Sequence, residues 1–304
     1  MMKKLVFILF LFGLGARSYS ESPSSVNNID TVSAVSTVSD IHILVTAFEP
    51  FNGSKENGSK IVARELLLLN DTDIKTDVAA SANLSEKKAS RIIYHTCILP
   101  VTYDKAFEKA KECFLNLNPK PDLVVSSGEG SCDFRLEIRA HNLDDMWLKD
   151  EDGVVRRGHT VEENAPENEQ LTFPVADMFC ATKFPIAPRL STSLSPGHYV
   201  CNNTAFHMAR WLKPQQVPFS FFHLPTSSCD AKPADTAQKF DLAVRAALRA
   251  LSINTTVFYG TNANFRNYVE AKDLPPVSSK CREAAITDLR KKYGFEMKIK
   301  ALGK

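Results

Sequence analysis

A cysteine in the second half of the chain stands where a thiol could act as a nucleophile. Cys201 follows the turn signal Ser195-Pro196-Gly197 and directly precedes a segment, 205–212, whose pattern predicts a helix. A thiol at a helix N-terminus faces unpaired backbone N–H groups and the positive end of the helix dipole. This position lowers the thiol pKa and favours the thiolate. Taken alone, the pattern also fits an inert buried cysteine or one half of a disulfide.

A nucleophilic thiol needs a base, and the base needs a group that orients it. His223 lies at the C-terminal end of a predicted strand, 217–223, which is where catalytic groups of open α/β sheets gather. Glu137 follows another strand and its glycine-rich turn, so it could orient the imidazole. The alternative for Glu137 is a surface carboxylate paired with Arg135 or Arg139.

The segments that must position these residues alternate between strand and helix patterns, which favours a single α/β domain. Short runs rich in β-branched or aromatic residues predict strands at 41–48, 92–101, 122–126, 134–143 and 217–223. Apolar residues at helical spacing predict helices at 61–69, 103–115, 205–212, 235–251 and 282–293. The polar stretch 70–90 is interpreted as a surface insertion, and 144–172 as mostly loop.

Composition excludes some classes of partner. The 304 residues carry 37 Lys+Arg against 35 Asp+Glu, and without the basic residues of 1–20 the formal charge falls from +2 to −1. A near-neutral chain is not typical of a nucleic-acid-binding protein. No spacing typical of a metal site or a phosphate-binding loop occurs, so we expect neither metal nor cofactor.

The N-terminus has the pattern of a secretory signal peptide. Lys3 and Lys4 precede the apolar run 5–14, and small residues follow up to Ser20. The alternative is a membrane anchor, but spanning a bilayer takes roughly 20 apolar residues, about twice this run. We therefore expect residues 1–20 to be a cleaved signal, 21–40 a linker, and the protein to be secreted or periplasmic without stable membrane insertion.

Export changes what the seven cysteines indicate. In an oxidising compartment they can pair, and because seven is odd at least one stays free. Six cysteines allow 15 pairings, among which the sequence does not choose. One further hypothesis is that Cys201 itself pairs, for example with Cys229, so that the thiol is gated by redox state.

Several short motifs occur in order along the chain. The segment Phe48–Gly53 reads FEPFNG, and it is followed by LPV with Tyr103 at 99–103, PDLVV at 121–125, EIRAHNLDD at 137–145, GHYVCN at 197–202 and FHLP at 222–225. These ordered motifs resemble those of the pyroglutamyl peptidase I family of cysteine peptidases, in which the first motif is FEPFGG. The resemblance covers 41–252 and leaves 253–304 as an extension of unknown structure.

The resemblance implies a fold, an activity and a set of site residues. The fold is a single α/β/α sandwich with a mixed, mostly parallel sheet, and the activity is removal of N-terminal pyroglutamate from peptides without a cofactor. Cys201 takes the place of the nucleophile, His223 of the general base and acid, and Glu137 of the residue that orients the imidazole. The positions that line the substrate pocket are Phe48, Phe51, Tyr199 and Glu129.

Two residues depart from the family pattern near the expected site. Trp147 stands where the family usually has arginine, and Glu129 stands where it often has glutamine or an apolar residue. A carboxylate near the lactam would weaken its binding or indicate another substrate. The alternatives are therefore a related hydrolase acting on another small amide or acyl-peptide, and a non-catalytic protein that binds blocked peptide N-termini.

Overall fold

The computed structural model describes residues 40–80, 91–181, 190–226, 228–258 and 278–293. The strands are β1 (Ile41–Phe48), β2 (Ile92–Leu99), β3 (Leu123–Glu129), β4 (Phe134–Glu137), β5 (Arg139–His141), β6 (Asp144–Met146), β7 (Arg156–His159), β8 (Asn168–Gln170), β9 (Leu190–Ser193) and β10 (Phe219–Leu224). The helices are α1 (Gly58–Ala80), α2 (Ala106–Asn116), α3 (Val175–Ala181), α4 (Val200–Leu212), α5 (Pro233–Phe258) and α6 (Ser279–Tyr293).

Six of these strands form one mixed sheet in the order β2-β1-β3-β10-β4-β9. Strand β10 runs antiparallel to β4, and the other neighbours in this sheet are parallel. Helix α5 contacts α1 and α3, helix α3 also contacts α6, and α2 contacts α4. The predicted α/β/α architecture with a mostly parallel sheet is confirmed.

Strand β1 shows why the sheet has a core on each face. Successive side chains of a strand point to opposite faces. Ile43 and Val45 accordingly belong to one buried cluster, whereas Leu44 and Phe48 belong to the other. A strand covered on both sides is apolar along most of its length, and the run at 41–48 is apolar except at His42 and Thr46. The prediction of a buried strand here is confirmed.

Several predicted boundaries were wrong. Helix α4 begins at Val200 and includes Cys201, rather than beginning at 205. The strand predicted over 134–143 divides into β4 and β5, and β5 pairs with β8 in a separate two-stranded sheet. The predicted loop 144–172 contains the short strands β6, β7 and β8. Helix α1 continues to Ala80, into the predicted insertion.

Part of the extension after 252 folds onto the domain. Helix α5 continues to Phe258, and α6 packs on α3. The Cys180–Cys281 disulfide joins α3 to α6, and Arg282 lies 2.9 Å from the carboxylate of the buried Asp177. Residue Leu289 is buried among the core residues. The extension therefore supplies a helix of the outer layer.

The expected signal and linker, 1–39, lie outside the described residues, as do 81–90, 182–189, 259–277 and 294–304. Among the helices that the structure describes, none has the length and apolar character to cross a bilayer.

The Cys180–Cys281 disulfide is expected to contribute more to stability than Cys97–Cys113. Their sequence separations are 101 and 16 residues, and a longer closed loop removes more entropy from the unfolded chain. We expect Cys180→Ala/Cys281→Ala to lower the free energy of unfolding by about 5 kcal/mol and Cys97→Ala/Cys113→Ala by about 3 kcal/mol. Urea denaturation of the two double variants measures the difference, and an inverted order would contradict the expectation.

Candidate active site

Cys201 lies in the first turn of α4, at the carboxyl end of the sheet. The helix is entered through Tyr199, whose backbone is extended, after a turn in which Gly197 has a φ of 78°. This φ favours glycine, so the turn before the helix depends on that residue. The first N–H groups of a helix have no acceptor within it. The turn thus places the thiol beside free backbone donors.

His223 and Glu137 are brought together by the antiparallel pairing of β10 with β4. In this register His223 lies opposite Arg135, and Phe221 lies opposite Glu137. The imidazole Nδ1 and Glu137 Oε1 are 2.8 Å apart, in a bond that the carboxylate accepts. The second imidazole nitrogen, Nε2, is then left as the proton acceptor.

The alternative role of Glu137 as a surface carboxylate was wrong. Its side chain is 1% exposed, and the Nε of Arg139 donates to the backbone oxygen of Leu194 instead. A buried carboxylate is stable only with a partner, which here is the imidazole.

The end of β3 packs tightly against both the thiol and the imidazole. A Cβ at Gly128 would lie 2.7 Å from the Cys201 sulfur, and a Cβ at Gly130 would lie 2.9 Å from the Cβ of His223. Both distances are shorter than a van der Waals contact. Two glycines separated by one residue therefore leave the space that the thiol and the imidazole occupy.

All the residues predicted for catalysis or substrate binding except Glu137 line one cavity of about 170 Å³. Its walls include the predicted Phe48, Phe51, Tyr199 and Glu129 together with Cys201 and His223. Glu137 stands behind the imidazole. The lining is mostly apolar, with Glu129 as the acidic side chain among the lining residues.

Sequence reasoning missed other lining residues, among them Asn57, Met146 and His198. Asn57 is buried, donates to the backbone oxygen of Glu49 and accepts from Ser59, so it fixes the turn that follows β1. Nothing in the local sequence around Asn57 predicts that its side chain is buried.

The cavity raises the thiol pKa instead of lowering it. Burial raises the pKa of Cys201 to about 12, and the charges of Glu137 and Glu129 act in the same direction. The backbone N–H of Cys201 lowers it, but by less. The expectation of a helix-stabilised thiolate was therefore wrong, because desolvation and two carboxylates outweigh the helix terminus. The thiol must lose its proton to a base.

The hypothesis that Cys201 pairs with Cys229 was also wrong. All seven cysteines are among the described residues, and Cys229 is bonded to Cys132. Cys201 is the free cysteine.

Trp147, which stands where an arginine is usual in the family, is not among the cavity's lining residues. Its side chain is 74% exposed, and the guanidinium of Arg157 stacks over its ring at 4.0 Å.

Gly128→Ala is expected to lower kcat by about 100-fold, because the new methyl group would displace the sulfur and a misplacement near 1 Å costs that much. Steady-state kinetics of the purified variant measure the loss. Gly153→Ala is the control for lost stability: a Cβ there meets nothing within 4 Å, but the φ of 83° strains an alanine, so this variant should be less stable and keep its kcat. Equal kcat in the two variants would contradict the expectation.

A thiol and an imidazole in one cavity, with a buried carboxylate behind the imidazole, are the parts of a cysteine hydrolase. The family model described as pyroglutamyl peptidase matches residues 41–259. The chain belongs to this family and is a cysteine peptidase.

Two curated relatives illustrate the similarity. Pyrrolidone-carboxylate peptidase of Finegoldia magna is 28% identical over 215 residues, which are 69% of this chain and 91% of the relative. The protein of the same name from Deinococcus radiodurans is 26% identical over 227 residues, covering 71% and 96%.

Solved structures share the fold. Pyrrolidone carboxyl peptidase from Thermococcus litoralis superposes with a TM-score of 0.56 at 21% identity, covering 70% of this chain and 96% of that one. The enzyme from Fervidobacterium islandicum has a TM-score of 0.50 at 26% identity, covering 70% and 99%.

Proposed function

We propose that this protein is an exported cysteine peptidase that removes N-terminal pyroglutamate from peptides through Cys201, His223 and Glu137. The observation that carries the proposal is the 2.8 Å bond between His223 and Glu137, with the imidazole and the free thiol lining one cavity. The names of the curated relatives support the substrate.

The chemistry begins with proton transfer, because the thiol pKa of about 12 keeps Cys201 protonated near neutral pH. His223 Nε2 takes the thiol proton as the sulfur attacks the carbonyl carbon of the pyroglutamyl residue. The buried charge of Glu137 stabilises the imidazolium that results. Backbone N–H groups at the start of α4 face the negative oxygen of the tetrahedral intermediate.

Collapse of this intermediate expels the peptide amine, which takes its proton from His223. The pyroglutamyl group is left on the sulfur as a thioester. A water molecule, activated by the same imidazole, then hydrolyses the thioester and restores the thiol.

The cavity fits a small neutral ring. Pyroglutamate has no free α-amine, so apolar walls such as those of Phe48, Phe51 and Tyr199 suit its lactam. The Glu129 carboxylate can accept a hydrogen bond from the lactam N–H.

Glu129 also favours a second candidate function, the hydrolysis of another small amide. An amide with an additional donor or a positive charge would bind a carboxylate better than a lactam does.

Export is supported by two features. The first 20 residues have the pattern of a signal peptide, and six cysteines form three disulfides, which persist in oxidising compartments. Cell fractionation followed by mass spectrometry without reductant tests both features, and we expect the protein outside the cytoplasm, without residues 1–20 and with three disulfides. Recovery in the cytoplasm alone, with residues 1–20 retained and seven free thiols, would contradict export.

The assay that tests the activity uses protein beginning at Glu21 and two fluorogenic amides, one of pyroglutamate and one of glutamine. Turnover of the pyroglutamyl amide alone is expected, since glutamine brings a charged amine into an apolar cavity. Folded protein that turns over neither amide would contradict the proposal. Preference for the glutamine amide would favour the second candidate.

A further inference from the structure

The Cys132–Cys229 disulfide connects two loops that flank the candidate site. The first loop, 130–133, follows Glu129 at the end of β3, and the second begins after His223 and Leu224 at the end of β10. Glu129 and His223 both line the cavity. The disulfide thus links the segment that follows Glu129, a residue of the cavity wall, to the segment that follows His223.

Among the described residues of the two loops, the other side-chain contacts are local to the second loop, where Cys229 N donates to Thr226 O across 3.0 Å and the Thr226 hydroxyl contacts Ser228 and Cys229. Residues 131–133 are exposed, and so are Ser228 and Asp230 on either side of Cys229. The parallel pairing of β3 with β10 ends at Glu129 and Leu224, and Gly130 N donates to Leu224 O across 2.9 Å as the next bond. Exposed loop segments without buried apolar side chains are the parts of a fold that open most easily.

A movement of the first loop would directly change the surroundings of the His223 imidazole. The backbone at Gly130 is so close to His223 that a Cβ there would lie 2.9 Å from the Cβ of His223 and 3.1 Å from its Cγ. Glu129, one residue earlier, forms part of the cavity wall. A shift of this loop would therefore change both the space around the base and the shape of the cavity.

We propose that the Cys132–Cys229 disulfide is a positioning element of the active site, which holds the Glu129–Gly130 wall against His223. The proposal rests on the function proposed above, in which His223 is the base. Cys132 and Cys229 act through the residues they fix and do not touch the reacting atoms.

A second disulfide provides a matched control. Cys180–Cys281 joins α3 to α6, and neither helix contributes a residue to the cavity lining. The two disulfides span 97 and 101 residues, so their loop-closure entropies are nearly equal. Removing either one is therefore expected to lower the melting temperature by a similar amount, while only the first should change the site.

The experiment compares Cys132→Ala/Cys229→Ala with Cys180→Ala/Cys281→Ala by kinetics on the pyroglutamyl amide. We expect kcat/KM of the first variant to fall by about tenfold or more, with most of the loss in kcat. The reason is that an imidazole no longer held in its reactive position accepts the thiol proton more slowly. The second variant should stay within about twofold of the parent protein. Equal losses in the two variants, or full activity in the first, would overturn the proposal.

The rate at which iodoacetamide alkylates Cys201 is a readout that needs no turnover. The rate should fall in the first variant, because the imidazole no longer holds its place to accept the thiol proton, and should be unchanged in the second. A rate in the first variant equal to or above that of the parent would overturn the proposal. If the parent hydrolyses no pyroglutamyl amide, the proposed function fails but this readout still tests the role of the disulfide.

Should the first variant not fold, partial reduction takes its place. In Cys180→Ala/Cys281→Ala, the dithiol dithiothreitol opens Cys132–Cys229 to two thiols and is itself oxidised to a cyclic disulfide. Peptide mapping by mass spectrometry after alkylation distinguishes opening of Cys132–Cys229 from opening of Cys97–Cys113, which also remains in this variant. Activity should fall in step with the opening of Cys132–Cys229, and activity that persists once this bond is open would overturn the proposal.

Discussion

Cys201→Ser is expected to lower kcat/KM on the pyroglutamyl amide by at least about 10⁴-fold. The change replaces one atom, so the helix start and the cavity should be unaltered. A serine hydroxyl, however, is a far weaker acid than a thiol. The site already opposes ionisation of Cys201, whose pKa is raised to about 12 by burial and by the charges of Glu137 and Glu129. The same surroundings would hold a hydroxyl still more firmly in its neutral form.

The measurement pairs the kinetics with a thiol count. The parent protein should take up one equivalent of iodoacetamide, because Cys201 is the free cysteine and the other six are paired. The serine variant should take up none while keeping the melting temperature of the parent. Retention of more than about a tenth of the parent activity in the variant would rule out Cys201 as the nucleophile.

The fold was predictable because its strands and helices follow from the local periodicity of apolar residues in the sequence. The apolar run of β1 and the helical spacing in α2 and α5 are local signals, and the alternation of strand and helix largely fixes an α/β architecture. Strands β6 to β8 were missed because they are three or four residues long and polar, so they exist through pairing with distant segments and not through local preference.

The sequence motifs pointed to residues that lie close together in the structure, but not to their electrostatics. Cys201 and His223 line one cavity, and the register of β4 with β10 brings Glu137 to His223, while the catalytic roles of the three residues stay a prediction. The thiol pKa depends on burial and on two carboxylates from other strands, which no local pattern encodes. The disulfide partners are likewise set by the positions of loops in space, as the pairing of Cys132 with Cys229 illustrates.

Glu137→Gln separates the role of the carboxylate in catalysis from its role in stability. We expect kcat to fall by about 10²- to 10⁴-fold, because a neutral amide cannot stabilise the imidazolium and can hold the imidazole in the wrong tautomer. Stability should respond differently. Glu137 is a buried carboxylate whose Oε2 has no hydrogen-bond partner among the described residues, and burying a charge costs more free energy than burying a neutral amide, whose oxygen can still accept from His223 Nδ1.

Glu169→Gln is the matched control for this prediction. Glu169 is also buried, at 4% exposure, and its carboxylate lies 2.6 Å from Lys213 and 3.6 Å from Arg210, outside the cavity lining. The control should lower the melting temperature and leave kcat unchanged, whereas Glu137→Gln should lower kcat and leave the melting temperature at or above that of the parent. If Glu137→Gln lost stability as the control does and kept its kcat, Glu137 would be a structural residue, and the base would act without a carboxylate behind it.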